Sequence, residues 1–332
     1  MLGSSDQALC RAYDLAMLDL DGVVYVGGDA VPGAPGHLAD ARAEGLRLAF
    51  VTNNASRPPE RVAEHLRELG VEAKPEDVVT SAQAAARLLA DRFGAGAHVV
   101  CLGADGLREA LESEGLVAVG PAADAVAIAT GYGPDVRWSE IMRAAVRIRD
   151  GLPWVASNTD LTFPAAFGVA PGHGVQVEML QRFAEVDPEV AGKPARPLLD
   201  ETVRRVGGER PLMVGDRLDT DIEGAHRAGL DSLLVLTGVT GLAELVTAAE
   251  HLRPTYVAPD LHGLLVAHEA PTQEEGGFVL GGWRATVDDG RIAVTGEGDP
   301  GAWWRVVAAA AWTHLDATGE PVDLSGVAEP AR

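Results

Sequence analysis

Over its first 270 residues the chain alternates short apolar runs with segments of helical period. Leu15-Ala16-Met17-Leu18 is an apolar run of the kind that forms a buried central strand. Residues 33–45 read as a short helix with Leu38, Ala41 and Leu46 on one side, and Arg47 to Thr52 as a second buried strand. A helix over about 58–69 follows, and residues 78–81 close this first part. The pattern then restarts. Helices over 82–93, 107–114 and 139–149 alternate with strands over 98–102, 124–130 and 154–157. Residues 158–174, ending in the glycine-rich PGHG, read as loop, and 175–183 as a helix. Further on come a helix at 198–206, a strand at 211–215, a helix at 222–228, a strand at 232–236 and helices at 241–249 and 261–268. Strands that alternate with helices predict a parallel α/β protein, here with a self-contained α/β unit inserted after Thr80.

The pattern changes near residue 270. Residues 270–277 (APTQEEGG) read as a linker. Beyond it, 283–287 and 291–295 alternate around Asp288-Asp289-Gly290, a hairpin signal. Residues 303–315 read as an amphipathic helix with Trp303, Trp304 and Trp312, half of the six tryptophans. A ββα unit this small buries little by itself, so it is expected to pack on the main body or on a second copy, giving a homodimer. Its removal is expected to leave the core folded.

Composition narrows the class. The 332 residues are 47% hydrophobic and 23% charged, enough for roughly two soluble globular domains. A formal net charge of −22 argues against nucleic acid and anionic membranes as partners. Cys10 and Cys101 sit in no metal or redox spacing and read as inert thiols. The start lacks the basic residues and long apolar run of a signal peptide, and no stretch reaches membrane-span length. The expectation is a cytoplasmic protein.

Four polar points fall at strand ends, where open α/β sheets gather their chemistry. Asp19 and Asp21 leave the first strand two residues apart, followed by Gly22. Such carboxylates repel, and a divalent cation that prefers oxygen ligands relieves the repulsion. Asp-Gly is also ordinary turn chemistry. Thr52-Asn53-Asn54 ends the second strand before a helix, an arrangement that suits an anion and equally suits capping. Lys193 precedes a helix start, where the dipole disfavours a cation unless an anion is bound. Asp216, Asp219 and Asp221 crowd one strand-to-helix loop; some cap the helix and one or two remain for a metal. A carboxylate nucleophile, a cation held by oxygens, a hydroxyl with main-chain donors and a lysine are what phosphoryl transfer needs.

The ordered set DxDGVVY, VTNN, GKP and GDRxDTD resembles the haloacid dehalogenase superfamily of phosphotransferases. It is similar to the branch with nitrophenyl, phosphoglycolate and glycerol-phosphate phosphatases, over about residues 14–267. The resemblance extends to Asn158-Thr159-Asp160, where relatives commonly have proline in the middle, and to Pro164. It implies a Rossmann-like parallel-sheet core with a large inserted α/β cap and, in this chain, a small C-terminal ββα extension. The expected boundaries are 1–80 and 188–269 for the core, 81–187 for the cap and 278–320 for the extension. By position, the resemblance makes Asp19 the nucleophile and Asp21 the general acid and base. Thr52, Asn53 and Asn54 would bind the phosphoryl group, and Lys193 would pair with phosphate and nucleophile. Asp19, Asp216 and the Asp21 carbonyl would hold Mg²⁺, and Asp221 would hold a metal-bound water or ligate directly. Asp219 has no family role and is left to helix capping. Aspartate at position 21, where family ATPases have threonine, favours hydrolysis over a lasting phosphoenzyme.

The implied activity is hydrolysis of a small phosphomonoester through an aspartyl-phosphate. Glycerol 3-phosphate leads, because actinobacterial members with a similar extension act on it. Phosphoglycolate, pyridoxal phosphate and nitrophenyl phosphate are the rivals, with Asn158, Asp160 and, less directly, His173 as cap contributors. An inactive phosphate-ligand-binding regulator is the reading of another class. A second, acetyltransferase function for the extension would need a glycine loop for coenzyme A, and the sequence has none suited to it.

Overall fold

The computed structural model describes residues 2–165 and 167–330; the side chain of Pro164 lies outside the described residues. The chain divides into two compact units. One comprises Met1–Leu48, Leu69–Val71 and Gly208–Arg332, the other Ala49–Glu68 and Glu72–Gly207. This division differs from the breaks expected at residues 80 and 187, because residues 49–68, 72–80 and 188–207 group with the inserted segment. Within that group, Asn53 hydrogen-bonds with residues 81, 158, 160 and 193. No helix among the described residues is long and apolar enough to cross a membrane.

In the first unit, Leu15–Leu18 pairs in parallel with Pro211–Gly215, from Leu15 opposite Pro211 to Leu18 opposite Val214. Asp231–Val235 and then Tyr256–Ala258 continue the parallel sheet outward. All four residues of Leu15–Leu18 are buried, which is why the strand reads as a continuous apolar run rather than an alternating one. The ladder runs one residue past the strand, where the Asp19 N–H donates to Val214 O at 2.9 Å. Tyr256–Ala258 lies in a stretch the sequence left unassigned, and the helix expected at 261–268 is only a 3-10 turn, Leu261–Leu265.

The C-terminal extension is larger than the expected ββα. Thr272–Glu274 is a strand inside the expected linker, and Gly277–Leu280 is a further strand that starts at the linker's last residue. With Trp283–Asp288 and Arg291–Gly296 they form a four-stranded antiparallel sheet in sequential order. The helix Pro300–Thr318 is capped by Asp299, whose carboxylate accepts from Ala302 N–H at 2.9 Å. It buries residues around most of its circumference, the pattern of a helix enclosed on several sides. Trp303, Trp304 and Trp312 share one core with Leu234, Leu236, Leu242, Leu245 and Val257. Trp312 Nε1 donates to Leu245 O at 2.7 Å, and the Arg253 guanidinium lies 5.3 Å from its ring centroid. The extension therefore packs on the body of this unit, the first of the two alternatives expected for it.

The second unit holds a five-stranded parallel sheet in the order Glu189–Val190, Trp154–Ala156, Ala127–Thr130, His98–Leu102, Val117–Val119. Helices Trp138–Arg149 and His173–Ala184 share a core with Val100, Ile128 and Trp154. Arg47–Thr52 passes from the first unit into this one and pairs in parallel with Val78–Thr80, Thr52 opposite Thr80. The loop expected at 158–174 contains an antiparallel hairpin, Thr162–Ala165 with Gly168–Pro171.

Candidate active site

Two adjacent parallel strands of the first unit end in acidic residues. Asp19 follows Leu15–Leu18, and Asp216 follows Pro211–Gly215. Asp221 comes from the π-helical turn Leu218–Ile222. Each of the three offers a carboxylate oxygen, and these oxygens lie within 4.8 Å of one another. Asp216 and Asp221 are fully buried. Like charges this close and this dry are costly unless a cation offsets them. An all-oxygen set is what a hard divalent cation takes, so the three residues fit Mg²⁺ or Ca²⁺.

The supports of this cluster are main-chain groups and absent side chains. Val239 N–H donates to Asp216 Oδ2 at 2.7 Å, and Thr240 N–H to Asp216 O at 3.1 Å. Arg217 N–H donates to Asp221 Oδ2 at 3.1 Å. Gly22 has φ +86°, and a Cβ there would sit 2.4 Å from Asp216 Oδ2. At Gly238 a Cβ would sit 2.0 Å from the same oxygen. Thr237 Oγ1 donates to Gly22 O at 2.5 Å, tying the two loops together. Sequence reasoning missed residues 237–240 because Thr-Gly-Val-Thr reads as an ordinary turn; its one signal is a glycine just beyond a buried strand. Asp21 is exposed and stands outside the trio. Asp219 does not cap the helix as expected: its two oxygens accept from Arg217 Nε at 3.1 Å and Nη2 at 2.8 Å.

The second unit gathers the other sequence candidates around Asn53. Its Nδ2 donates to Lys193 O at 2.9 Å and to Asp160 Oδ1 at 3.0 Å, and its Oδ1 accepts from Lys193 N–H at 2.8 Å. Its carbonyl accepts from Ser81 Oγ at 2.6 Å and Asn158 Nδ2 at 2.7 Å. Thr52 Oγ1 accepts from Asn54 N–H at 3.0 Å, and Asn54 Oδ1 from Ser56 N–H and Oγ. Thr52, Asn53, Asn158 and Lys193 are buried. Ser81 belongs to this network and was not singled out in the sequence. His173 lies deeper: Nε2 is 3.2 Å from Thr130 Oγ1, which accepts from Trp154 Nε1 at 2.9 Å. Burial pushes its pKa down to about 4, so the ring is neutral at pH 7 and supplies no charge.

Comparison with known proteins decides what this arrangement belongs to. A haloacid dehalogenase-like hydrolase family model matches residues 16–117, and a second model of HAD-like hydrolases matches 190–264. The chain is 42% identical to D-glycerol 3-phosphate phosphatase of Mycobacterium tuberculosis over 299 residues, 88% of this chain and 81% of that protein. The chain belongs to the haloacid dehalogenase-like hydrolases. This hydrolase is also 34% identical to acid sugar phosphatase of Staphylococcus aureus, over 76% of this chain and 96% of that protein. The crystal structure of the M. tuberculosis glycerol phosphate phosphatase in complex with magnesium superimposes with a TM-score of 0.85 at 40% identity. That match covers 95% of this chain and 94% of the other, so the two share a Rossmann-like α/β fold nearly throughout.

Proposed function

We propose that this haloacid dehalogenase-like hydrolase is a Mg²⁺-dependent phosphomonoesterase whose first substrate is glycerol 3-phosphate. The observation that carries the reading is the carboxylate trio of Asp19, Asp216 and Asp221 at the ends of two adjacent parallel strands. These three residues, with the Asp21 carbonyl, would hold Mg²⁺, which when bound supplies positive charge against the phosphoryl oxygens.

Asp19 attacks phosphorus with a carboxylate oxygen, and the bond to the substrate's alkoxide breaks. Asp21 gives its proton to that alkoxide. It then takes a proton from the water that attacks the phosphoryl-aspartate, releasing phosphate and restoring Asp19. A general acid and base of this kind contributes roughly 10²–10⁴ in rate. The Thr52 hydroxyl and the main-chain N–H of Asn53 bind the phosphoryl oxygens, the Asn54 N–H holds the Thr52 hydroxyl from behind, and Lys193 adds a positive charge. The pattern of the family supports these roles.

Residues 81–187 act as the cap that selects the alcohol part of the substrate, with Asn158 and Asp160 shaping its entrance. The protein works in the cytoplasm and forms a homodimer. Glycerol 3-phosphate is favoured by the 42% identity to an enzyme of that name. Phosphate release from glycerol 3-phosphate, phosphoglycolate, pyridoxal phosphate, nitrophenyl phosphate and a sugar phosphate, ranked by kcat/KM with and without Mg²⁺, tests the reading. Glycerol 3-phosphate is expected first. A clear preference for another ester removes the named substrate, and no release from any of them supports the inactive, ligand-binding alternative.

A further inference from the structure

Every donor of the Asn53 side-chain amide is used inside the second unit. One Nδ2–H goes to Lys193 O at 2.9 Å and the other to Asp160 Oδ1 at 3.0 Å. The Lys193 N–H returns to Asn53 Oδ1 at 2.8 Å. These partners fix which end of the amide is nitrogen, since Nδ2 faces two acceptors and Oδ1 faces a donor. A phosphoryl oxygen needs a donor, and this amide has none left to give. Instead it grips both main-chain groups of one residue, the way one strand grips another, 140 positions along the chain.

We infer that the Asn53 side chain is a positioning residue for Lys193: it fixes the lysine main chain, Asp160 fixes the amide, and neither side chain contacts the phosphoryl group. The inference rests on the proposed role of Lys193 as the cation beside the phosphate. A lysine side chain has four rotatable bonds, so the direction of its ammonium depends on where its main chain is held. Lys193 is 2% exposed, and Asn53 sets its Cα from within the same buried layer. Ser81 and Asn158 hold the Asn53 carbonyl in turn, which keeps the strand end itself in place.

The test is a double-mutant cycle on the full chain, using phosphate release with Mg²⁺ from glycerol 3-phosphate and from nitrophenyl phosphate. Asn53→Ala is expected to lower kcat by about 100-fold, the scale of a misplacement near 1 Å. In a Lys193→Met background the same change is expected to cost less than about threefold, because the side chain it positioned is gone. The inhibition constant of inorganic phosphate should be equal in Lys193→Met with and without Asn53→Ala. A charge swap gives a second measurement that does not depend on the alanine variant folding. Asn53→Asp sets carboxylate oxygens against Asp160 and against the Lys193 carbonyl, and adding Asp160→Asn restores a donor at the first of these contacts while the Lys193 N–H keeps its acceptor. The double variant should recover at least about tenfold over Asn53→Asp alone. An equal loss from Asn53→Ala in both backgrounds, weakened phosphate inhibition in the Lys193→Met background, or no recovery in the swap overturns the inference. Full turnover in Lys193→Met alone, by contrast, removes the proposed role of the lysine, and the inference falls with it.

Discussion

Gly238→Ala isolates one close approach at the acidic cluster. Its φ lies outside the left-handed region, so alanine costs nothing in backbone conformation there. The added methyl would sit 2.0 Å from Asp216 Oδ2 and 2.8 Å from Asp216 Cβ. Ordinary contact begins at 3.4 Å, so the carboxylate or the loop must yield by more than 1 Å. Asp216 is fully buried and held by the N–H of Val239, the residue next to the substitution, so its carboxylate and the loop shift against each other. Overpacking of this kind costs about 1–3 kcal/mol of stability, which a domain with a typical reserve of about 5–15 kcal/mol survives. The catalytic cost is larger in proportion: displacing a metal-facing carboxylate by about 1 Å should lower kcat/KM by about 100-fold, equivalent to about 2.7 kcal/mol. The assay is phosphate release over a Mg²⁺ titration, with a thermal melt on the same preparation. The Mg²⁺ concentration for half-activity should rise and the melt should stay cooperative. Gly36→Ala is the control, since its Cβ meets nothing within 4 Å and it lies in a helix, where alanine adds roughly 0.5–1 kcal/mol of stability. Wild-type activity and Mg²⁺ dependence in Gly238→Ala would refute the assignment of Asp216 to the cation.

Three further outcomes follow from other parts of the molecule. Excess chelator should abolish phosphate release, Mg²⁺ should restore it, and Ca²⁺ should inhibit because its larger, looser coordination misplaces Asp19; full activity in chelator would sink the metal site. Trp312→Ala should cost about 4 kcal/mol by urea unfolding, from the lost side chain and its hydrogen bond to the Leu245 carbonyl, while kcat at 25 °C changes little; a cost below about 1 kcal/mol would contradict the packing described. His173 binds its proton near pH 4 when folded and near pH 6.5 when unfolded, so its contribution is complete above about pH 6.5 and is lost as pH falls to about 4. That loss is roughly 3 kcal/mol, and His173→Asn should flatten the urea midpoint across this window; an unchanged slope would show that the ring is not held neutral.

The parts of the fold that were legible in the sequence are those whose burial leaves a composition. Leu15–Leu18 and Pro211–Gly215 lie in a sheet interior, so almost every residue is apolar whatever its direction. Thr272–Glu274 was missed because all three of its residues are exposed and its pairing with Gly277–Leu280 is made by the main chain. The hairpin Thr162–Ala165 with Gly168–Pro171 was missed because turn-forming glycine and proline dominate the reading. At the site, Asp19, Asp216 and Asp221 announced themselves because acidic residues at the ends of apolar strands are unusual chemistry. Asn53 was singled out as a phosphate ligand, yet its amide is occupied by Lys193 and Asp160, a relation between distant residues that spacing does not encode. Residues 237–240 were silent for a related reason: they act through an N–H group and a missing side chain, and neither marks the sequence.

The central claim is that Asp19 carries the phosphoryl group during turnover, and trapping that group tests it most directly. Enzyme mixed with glycerol 3-phosphate and Mg²⁺, quenched in acid on the time scale of one turnover and digested, should yield a phosphorylated peptide with the modification on Asp19. Asp19→Asn should yield no such peptide and no phosphate release, while Asp21→Asn should slow both formation and breakdown of the adduct. Phosphate release by Asp19→Asn at the wild-type rate, or a phosphoryl group found on another residue, would contradict the account.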